Sequence, residues 1–331
     1  MNCRLLLALV LITAATWATA GPSDKCQLVK ITEWSVRKDH YRPVVDGSIN
    51  GQKIGVLLDT GAFQTAILRP AAERLGLRRV MLDGQRVYGI GGETRAEAAY
   101  VDELNIAGSV RKDWPALVVG EHGFSGDVAL LLGHEFFEQL DVEFDLAQRV
   151  VRLFQPRNCE RAWLGYWSSN ASMVPLETNS RIHLTVRING QPILAMLDSG
   201  VGYSKLSREA ALVLGATPDT PGARAAGCVY GLGTERYDSW LAPFESFSLG
   251  DEVIRNPSLR FADVWRHNKR EATGSNIPRS VSNVPEMLLG SDFLRAHRVY
   301  VAHSQRKLYF SYVGGKVFPD TPGKSCSELK I

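Results

Sequence analysis

The sequence predicts an all-β fold with short helices, built as two copies of one unit. Three observations lead there. The stretch Val56-Leu57-Leu58-Asp59-Thr60-Gly61-Ala62 returns 139 positions later as Ala195-Met196-Leu197-Asp198-Ser199-Gly200-Val201. The same lead-in precedes each copy, Ile49-Asn50-Gly51-Gln52 and Ile188-Asn189-Gly190-Gln191. Asn-Gly between apolar runs marks a β-hairpin, because both turn residues tolerate positive φ. Further paired segments then follow in the same order in both halves. One Asp-Ser/Thr-Gly triplet carries little weight at average composition. Two, behind one hairpin signal at one offset, are an internal duplication.

The chain has 331 residues, enough for two ordinary domains. Its formal charge of +3 is not gathered into a basic stripe, which argues against nucleic acid as a partner. Residues 1–20 read as a secretory signal peptide, with Arg4, an apolar core from Leu5 to Ala15, and Ala18-Thr19-Ala20 as the cleavage site. That apolar core is too short to span a bilayer comfortably. The expectation is therefore export to the periplasm or the cell exterior, with no membrane anchor after cleavage. Export permits disulfides among Cys26, Cys159, Cys228 and Cys326, in any of three connectivities. Three of these lie at the ends of the halves, whereas Cys228 sits beside a glycine-rich segment. No C-x-x-C or His/Cys cluster occurs, so neither a metal nor another cofactor is expected.

Along the chain, residues 26–34 form a first strand suited to a sheet edge. A strand from Val44, the Asn50-Gly51 turn and a strand over 54–58 deliver the Asp59-Thr60-Gly61 loop. Residues 64–68 form a short strand and 69–76 about two turns of helix, with Pro70 near its start and Gly76 at its end. Residues 207–215 repeat that helix. Val87-Tyr88-Gly89-Ile90-Gly91 meets Val229-Tyr230-Gly231-Leu232-Gly233 at an offset of 142, and residues 115–119 meet 257–261 at the same offset. Each Gly-x-Gly reads as a hairpin tip; a phosphate loop would need a helix directly after it, and 93–106 reads as strand. Leu131-Leu132-Gly133 meets Leu288-Leu289-Gly290 at 157, so the second half has about fifteen extra residues between 262 and 285, a polar surface loop. Both halves close on a hairpin, 142–153 and 299–310. Turn formers without periodicity over 156–180 set the boundary, giving units of 21–160 and 161–331; Asn170-Ala171-Ser172 is a glycosylation sequon.

Three motifs in order, twice, resemble the retropepsin-like aspartic protease family, over residues 44–310. The resemblance implies two pseudo-symmetric β-barrel lobes in an acid-protease architecture. Retroviral members are one lobe that must dimerise; here both lobes share a chain, implying a monomer with an internal pseudo-dimer. By the same resemblance Asp59 and Asp198 are the catalytic acids. Tyr88, Gly89, Ile90 and Gly91, with Tyr230, Gly231, Leu232 and Gly233, belong to flaps over a peptide or protein substrate. Gly133 and Gly290 pack behind the catalytic loops.

Peptide hydrolysis without a metal needs one group to deprotonate water and another to protonate the carbonyl or the leaving amine. Two carboxylates held together cannot both ionise readily, so they share a proton and supply both roles; aspartic proteases are the standard example. Thr60 and Ser199 would hydrogen-bond across the loops, and Gly61 and Gly200 would let backbone amides approach the carboxylates. The expected activity is that of an exported aspartic endopeptidase. The alternative is a non-catalytic peptide-binding protein on the same fold. His134 and His183 have no repeated partner and are expected to be packing or surface residues. Ser207 and Ser291 lack a histidine–acid constellation. The residues after each catalytic glycine, Ala62 and Val201, offer no hydroxyl to the carboxylates, so the pair should keep its proton to higher pH than in a homologue with Ser or Thr at both positions, by about one to two pH units. Cys228, if bonded, would tether the second flap and leave most of the opening to the first.

Overall fold

A computed structural model describes residues 25–124, 126–177, 181–265 and 284–328. Residues 1–20, expected to be a signal peptide, and most of the extra polar loop of the second half lie outside them. The first half runs β1 (Gln27–Ser35), β2 (Val44–Ile49), β3 (Gln52–Leu58), β4 (Ala66–Leu68), α1 (Arg69–Arg74), β5 (Arg79–Gly89), β6 (Gly92–Ile106), β7 (Ser109–Val119), β8 (Val128–Leu132), α2 (His134–Phe137), β9 (Asp141–Asp145) and β10 (Val150–Arg157). The β2–β3 turn has Asn50 at φ 49° and Gly51 at φ 76°, the left-handed pair that the Asn-Gly signal requires. Strand order is β2-β3-β8-β4-β7-β6-β5, and a further β2–β6 pairing closes six of these strands into a barrel. The fifteen-residue β6 makes closure possible, pairing with β5, β7 and β2 along its length.

The second half runs β11 (Ser172–Pro175), β12 (His183–Ile188), β13 (Gln191–Leu197), β14 (Lys205–Ser207), α3 (Arg208–Val213), β15 (Arg224–Val229), β16 (Tyr237–Pro243), β17 (Ser246–Leu249), β18 (Glu252–Arg255), β19 (Ser258–Ala262), β20 (Met287–Leu289), α4 (Ser291–Ala296), β21 (His297–Ala302) and β22 (Lys307–Tyr312). The counterpart of β6 is split after Pro243 into β16 and β17, and the sheet order becomes β15-β16-β19-β14-β20-β13-β12-β17-β18. Ser207 caps α3, its hydroxyl accepting from the Ala210 amide at 3.1 Å.

One sheet belongs to both halves. Its order is β1-β10-β9-β21-β22-β11, and its middle pairing matches Phe144 with Val299, Glu143 with Tyr300, and Val142 with Val301. That register is two-fold symmetric about Glu143 and Tyr300. The buried Glu143 carboxylate is neutralised there by Arg152 and by Arg298, whose Nη2 donates at 3.0 Å; Tyr166 donates to it as well. β1 is an edge strand, as expected. Its counterpart β11 falls in the segment that showed no periodicity, because four residues ending in proline are too few to carry a pattern.

Register also corrects the repeat. Ala66 lies opposite Leu117 in the β4–β7 pair, and Lys205 opposite Arg260 in the β14–β19 pair. Leu117 and Arg260 are thus equivalent, one residue out of step with the 115–119/257–261 match. Two disulfides complete the fold. Cys26–Cys159 joins the start of β1 to the end of the first half, and Cys228–Cys326 fastens β15 to the C-terminal segment.

Candidate active site

β3 and β13 each end by delivering an aspartate into the space between the lobes. Leu57, Leu58, Leu131 and Leu132 are buried in the first lobe, as are Met196, Leu197, Leu288 and Leu289 in the second, so the strand ends are rigidly packed. The Asp59 amide donates to Leu132 O at 2.9 Å, and the Asp198 amide to Leu289 O at 2.9 Å. Gly133 and Gly290 sit hard against the segments that follow the aspartate loops: a Cβ on Gly133 would come within 2.5 Å of Gln64 C, and one on Gly290 within 3.0 Å of Ser204 N.

The two loops grip each other. The Thr60 amide donates to Ser199 Oγ at 3.0 Å, and the Ser199 amide to Thr60 Oγ1 at 3.0 Å. Each hydroxyl donates onward across the interface, Thr60 to Leu197 O at 2.8 Å and Ser199 to Leu58 O at 2.6 Å. Gly61 and Ala62 amides reach Asp59 Oδ1 at 3.1 and 3.0 Å, and the Gly200 amide reaches Asp198 Oδ1 at 2.9 Å. The glycines have a second reason to be glycine. A Cβ on Gly61 would lie 2.4 Å from Asp198 Oδ2, and one on Gly200 would lie 2.3 Å from Asp59 Oδ1. Each carboxyl therefore occupies the place where the opposite loop's side chain would begin.

Both carboxyls open into a cavity of about 520 Å³ roofed by the two Gly-x-Gly segments. The first is a tight hairpin, with Gly89 paired to Gly92. The second is also the tip of a hairpin but a longer one: β15 ends at Val229, which pairs with Tyr237 at the start of β16, so residues 230–236 form the connecting loop. The first tip closes on Gly91 and Gly92, both at positive φ. The second has Gly233-Thr234 there, and a β-branched residue resists that conformation. The tips interlock, the Gly233 amide donating to Ile90 O at 3.3 Å and the Glu235 amide to Gly91 O at 2.9 Å. Gly231 and Gly89 allow the close approach, with Leu232 packed on Gly89. Tyr88 and Tyr230 are partly exposed and line the cavity.

A family model for gag-polyprotein aspartyl proteases matches residues 45–139, and one for aspartyl proteases matches residues 184–293. The chain belongs to the aspartyl protease family. It carries the domain twice, in tandem and retropepsin-like. No curated protein matches it.

In this tandem aspartyl protease chain the Asp59 carboxyl is pushed up to about 7, chiefly by burial and then by the Asp198 charge. The Asp198 carboxyl is also raised by burial, against the pull of Lys205, two backbone amides and Arg181. Burial is the first cause of the rise at both carboxyls. In a shared-proton mechanism, a proton that stays on the pair toward neutrality would set the alkaline limb of kcat/KM, because the singly protonated form is lost as pH rises past the upper pKa. Ala62→Ser and Val201→Ser should add donors to the charged form and move that limb toward acid. A limb that stays in place in a pH–rate profile would show that hydroxyl donors at these positions do not control the pair.

Sequence reasoning missed the cations. Arg42, Arg181, Lys205 and Arg260 all line the cavity. Arg42 Nη1 donates to Gly200 O at 3.2 Å and its guanidinium covers the Phe124 ring. Lys205 is pulled down to about 8 by burial, opposed by the Asp198 and Asp292 charges. One signal was available: at the offset of 139, Lys205 stands where the first copy has Ala66, at the start of a strand that is wholly apolar in that copy. His134 and His183 are buried and lie outside the cavity lining, packing rather than surface residues.

Proposed function

We propose that the chain, after loss of residues 1–20, is an exported aspartic endopeptidase with lobes 21–160 and 161–331, working as a monomer on peptide or protein substrates. Asp59 and Asp198 share one proton; the ionised partner deprotonates a water and the protonated one polarises the scissile carbonyl, then donates to the leaving amine. Thr60, Ser199, Gly61 and Gly200 position the pair, and the tips around Ile90 and Leu232 part to admit the peptide and close over it. The observation that carries this reading is the mutual fit of each carboxyl against the opposite loop's glycine. A site kept only for binding has no need of two acids in that relation. Export is supported by the signal-like residues 1–20 and by the two disulfides; no helix among the described residues is long and apolar enough to cross a membrane.

The test is incubation of the mature chain with a mixed peptide library, with and without an aspartic-protease inhibitor. Internal cleavages that vanish with inhibitor are expected. Retention of peptides without cleavage between about pH 4 and 8, the range the raised pair would serve, would instead establish the binding protein.

A further inference from the structure

The duplicated strands place different chemistry on the two sides of the cleft. In the first lobe the paired positions are Ala66 and Leu117, and the wall around them is Val119, Phe124 and Leu131. In the second lobe the equivalent pair is Lys205 and Arg260. Both side chains are more than nine-tenths buried, and both line the cavity. Lys205 Nζ spends one donor on Tyr203 O at 2.9 Å. Arg260 donates through Nη1 to Ala226 O and through Nη2 to Thr321 O, each at 2.6 Å, and lies 4.4 Å over the Tyr203 ring. Its buried Nε has no hydrogen-bond partner.

Neither cation has an ion-paired carboxylate among the described residues. The two nearby acids are committed elsewhere. Asp198 belongs to the shared-proton pair, and Asp292 is locked onto Ser204, accepting from its amide at 2.8 and 2.9 Å and from its hydroxyl at 2.5 Å. Arg42 and Arg181 also line the cavity and add to its positive charge. Buried charge without a partner is costly, and a pair of cations with spare donors is complementary to a planar anion. A backbone scaffold that fixes the guanidinium in advance reduces the ordering cost of binding.

Resting on the peptidase reading above, we propose that Lys205 and Arg260 form a carboxylate subsite, which seats a carboxylate of the substrate peptide beside Asp198. The equivalent wall of the first lobe seats an apolar side chain. The chain therefore selects peptides with an apolar residue on one side of the scissile bond and an acid on the other. The acid is either a Glu or Asp side chain or the C-terminus itself.

Matched peptides settle both the subsite and the source of its ligand. One set is capped at both ends and carries Glu, Gln or Leu at successive positions around one scissile bond. A second has no acidic side chain and ends in either a free acid or an amide. The wild type should cleave the acid over its neutral isostere by about tenfold to a hundredfold, the range of a charge-assisted hydrogen bond in a buried site. The capped set reports a side-chain acid, the second set a terminal one. Lys205→Ala and Arg260→Leu install the first lobe's residues and should bring the acid-to-neutral ratio near one. Arg260→Lys should keep part of it. The ratio within each variant is the readout, so any effect on the Asp pair cancels.

Wild-type cleavage with equal rates for acid and neutral peptides in both sets would overturn the subsite and leave the peptidase reading standing. Calorimetry of the same peptides on Asp59→Asn reads the subsite without turnover. Preferential binding of the acid by a chain that never cleaves would uphold the subsite and refute the peptidase. Equal binding of acid and neutral peptides would again overturn it.

Discussion

Asp59→Asn and Asp198→Asn should each lower kcat/KM for peptide hydrolysis by at least about 10²–10⁴-fold, the range ascribed to a positioned acid or base. Stability should change little. An amide fills the carboxyl's volume, and its oxygen can still accept from the Gly61 and Ala62 amides, or from the Gly200 amide, at their present 2.9–3.1 Å. What disappears is the shared proton: a pair with one Asn cannot hold one acid and one base in equivalent positions. The double variant should be no worse than either single one, because the two groups act as a unit. The comparison requires steady-state kinetics beside thermal melting. Either single variant retaining activity within about tenfold of wild type would exclude a shared-proton mechanism.

Gly61→Ala and Gly200→Ala should be nearly as damaging, for a different reason. The new methyl would meet the opposite carboxyl at 2.3–2.5 Å, well inside contact distance. The carboxyl cannot rotate away without losing its backbone amides, so the loops must part, and the Thr60–Ser199 grip opens with them. Loss of activity by about a hundredfold or more is expected, with the 1–3 kcal/mol destabilisation typical of overpacking. Gly123→Ala is the control: its Cβ would meet nothing within 4 Å, and its backbone is not left-handed. Near-wild-type kinetics in Gly200→Ala would mean that the carboxyls are not held against the facing loop.

The first lobe was largely legible in the sequence because local signals there coincide with tertiary ones. Asn50-Gly51 forms the turn its residues prefer, Pro70 and Gly76 bracket α1, and Gly91-Gly92 closes a hairpin. The aspartate loops were legible for a different reason, repetition, which raises a weak triplet above chance. Three features escaped. The shared six-stranded sheet is a pairing between distant segments, and no local pattern reports which strand lies beside β9. Cysteine pairing likewise depends on tertiary proximity. The cations were hidden because attention to matching residues passes over the places where the copies differ. Lys205 and Arg260 stand out only when each half is treated as a template for the other, and Arg260 only after strand register replaces the sequence offset.

Covalent linkage of the halves has a consequence for how such a cleft can change. In an association of two identical chains, a substitution in one wall appears in the other at the same moment. A lysine at position 66 would come with its mirror image, and two buried cations would face one pair of carboxyls from both sides. The tandem chain is free of that constraint. Ala66 can remain small while Lys205 is charged, and one Gly-x-Gly tip can keep a tight turn while the other lengthens into a loop. The cleft can therefore give a bound peptide a direction, with one end distinguished from the other, even though the strands that build it obey a two-fold axis through Glu143 and Tyr300.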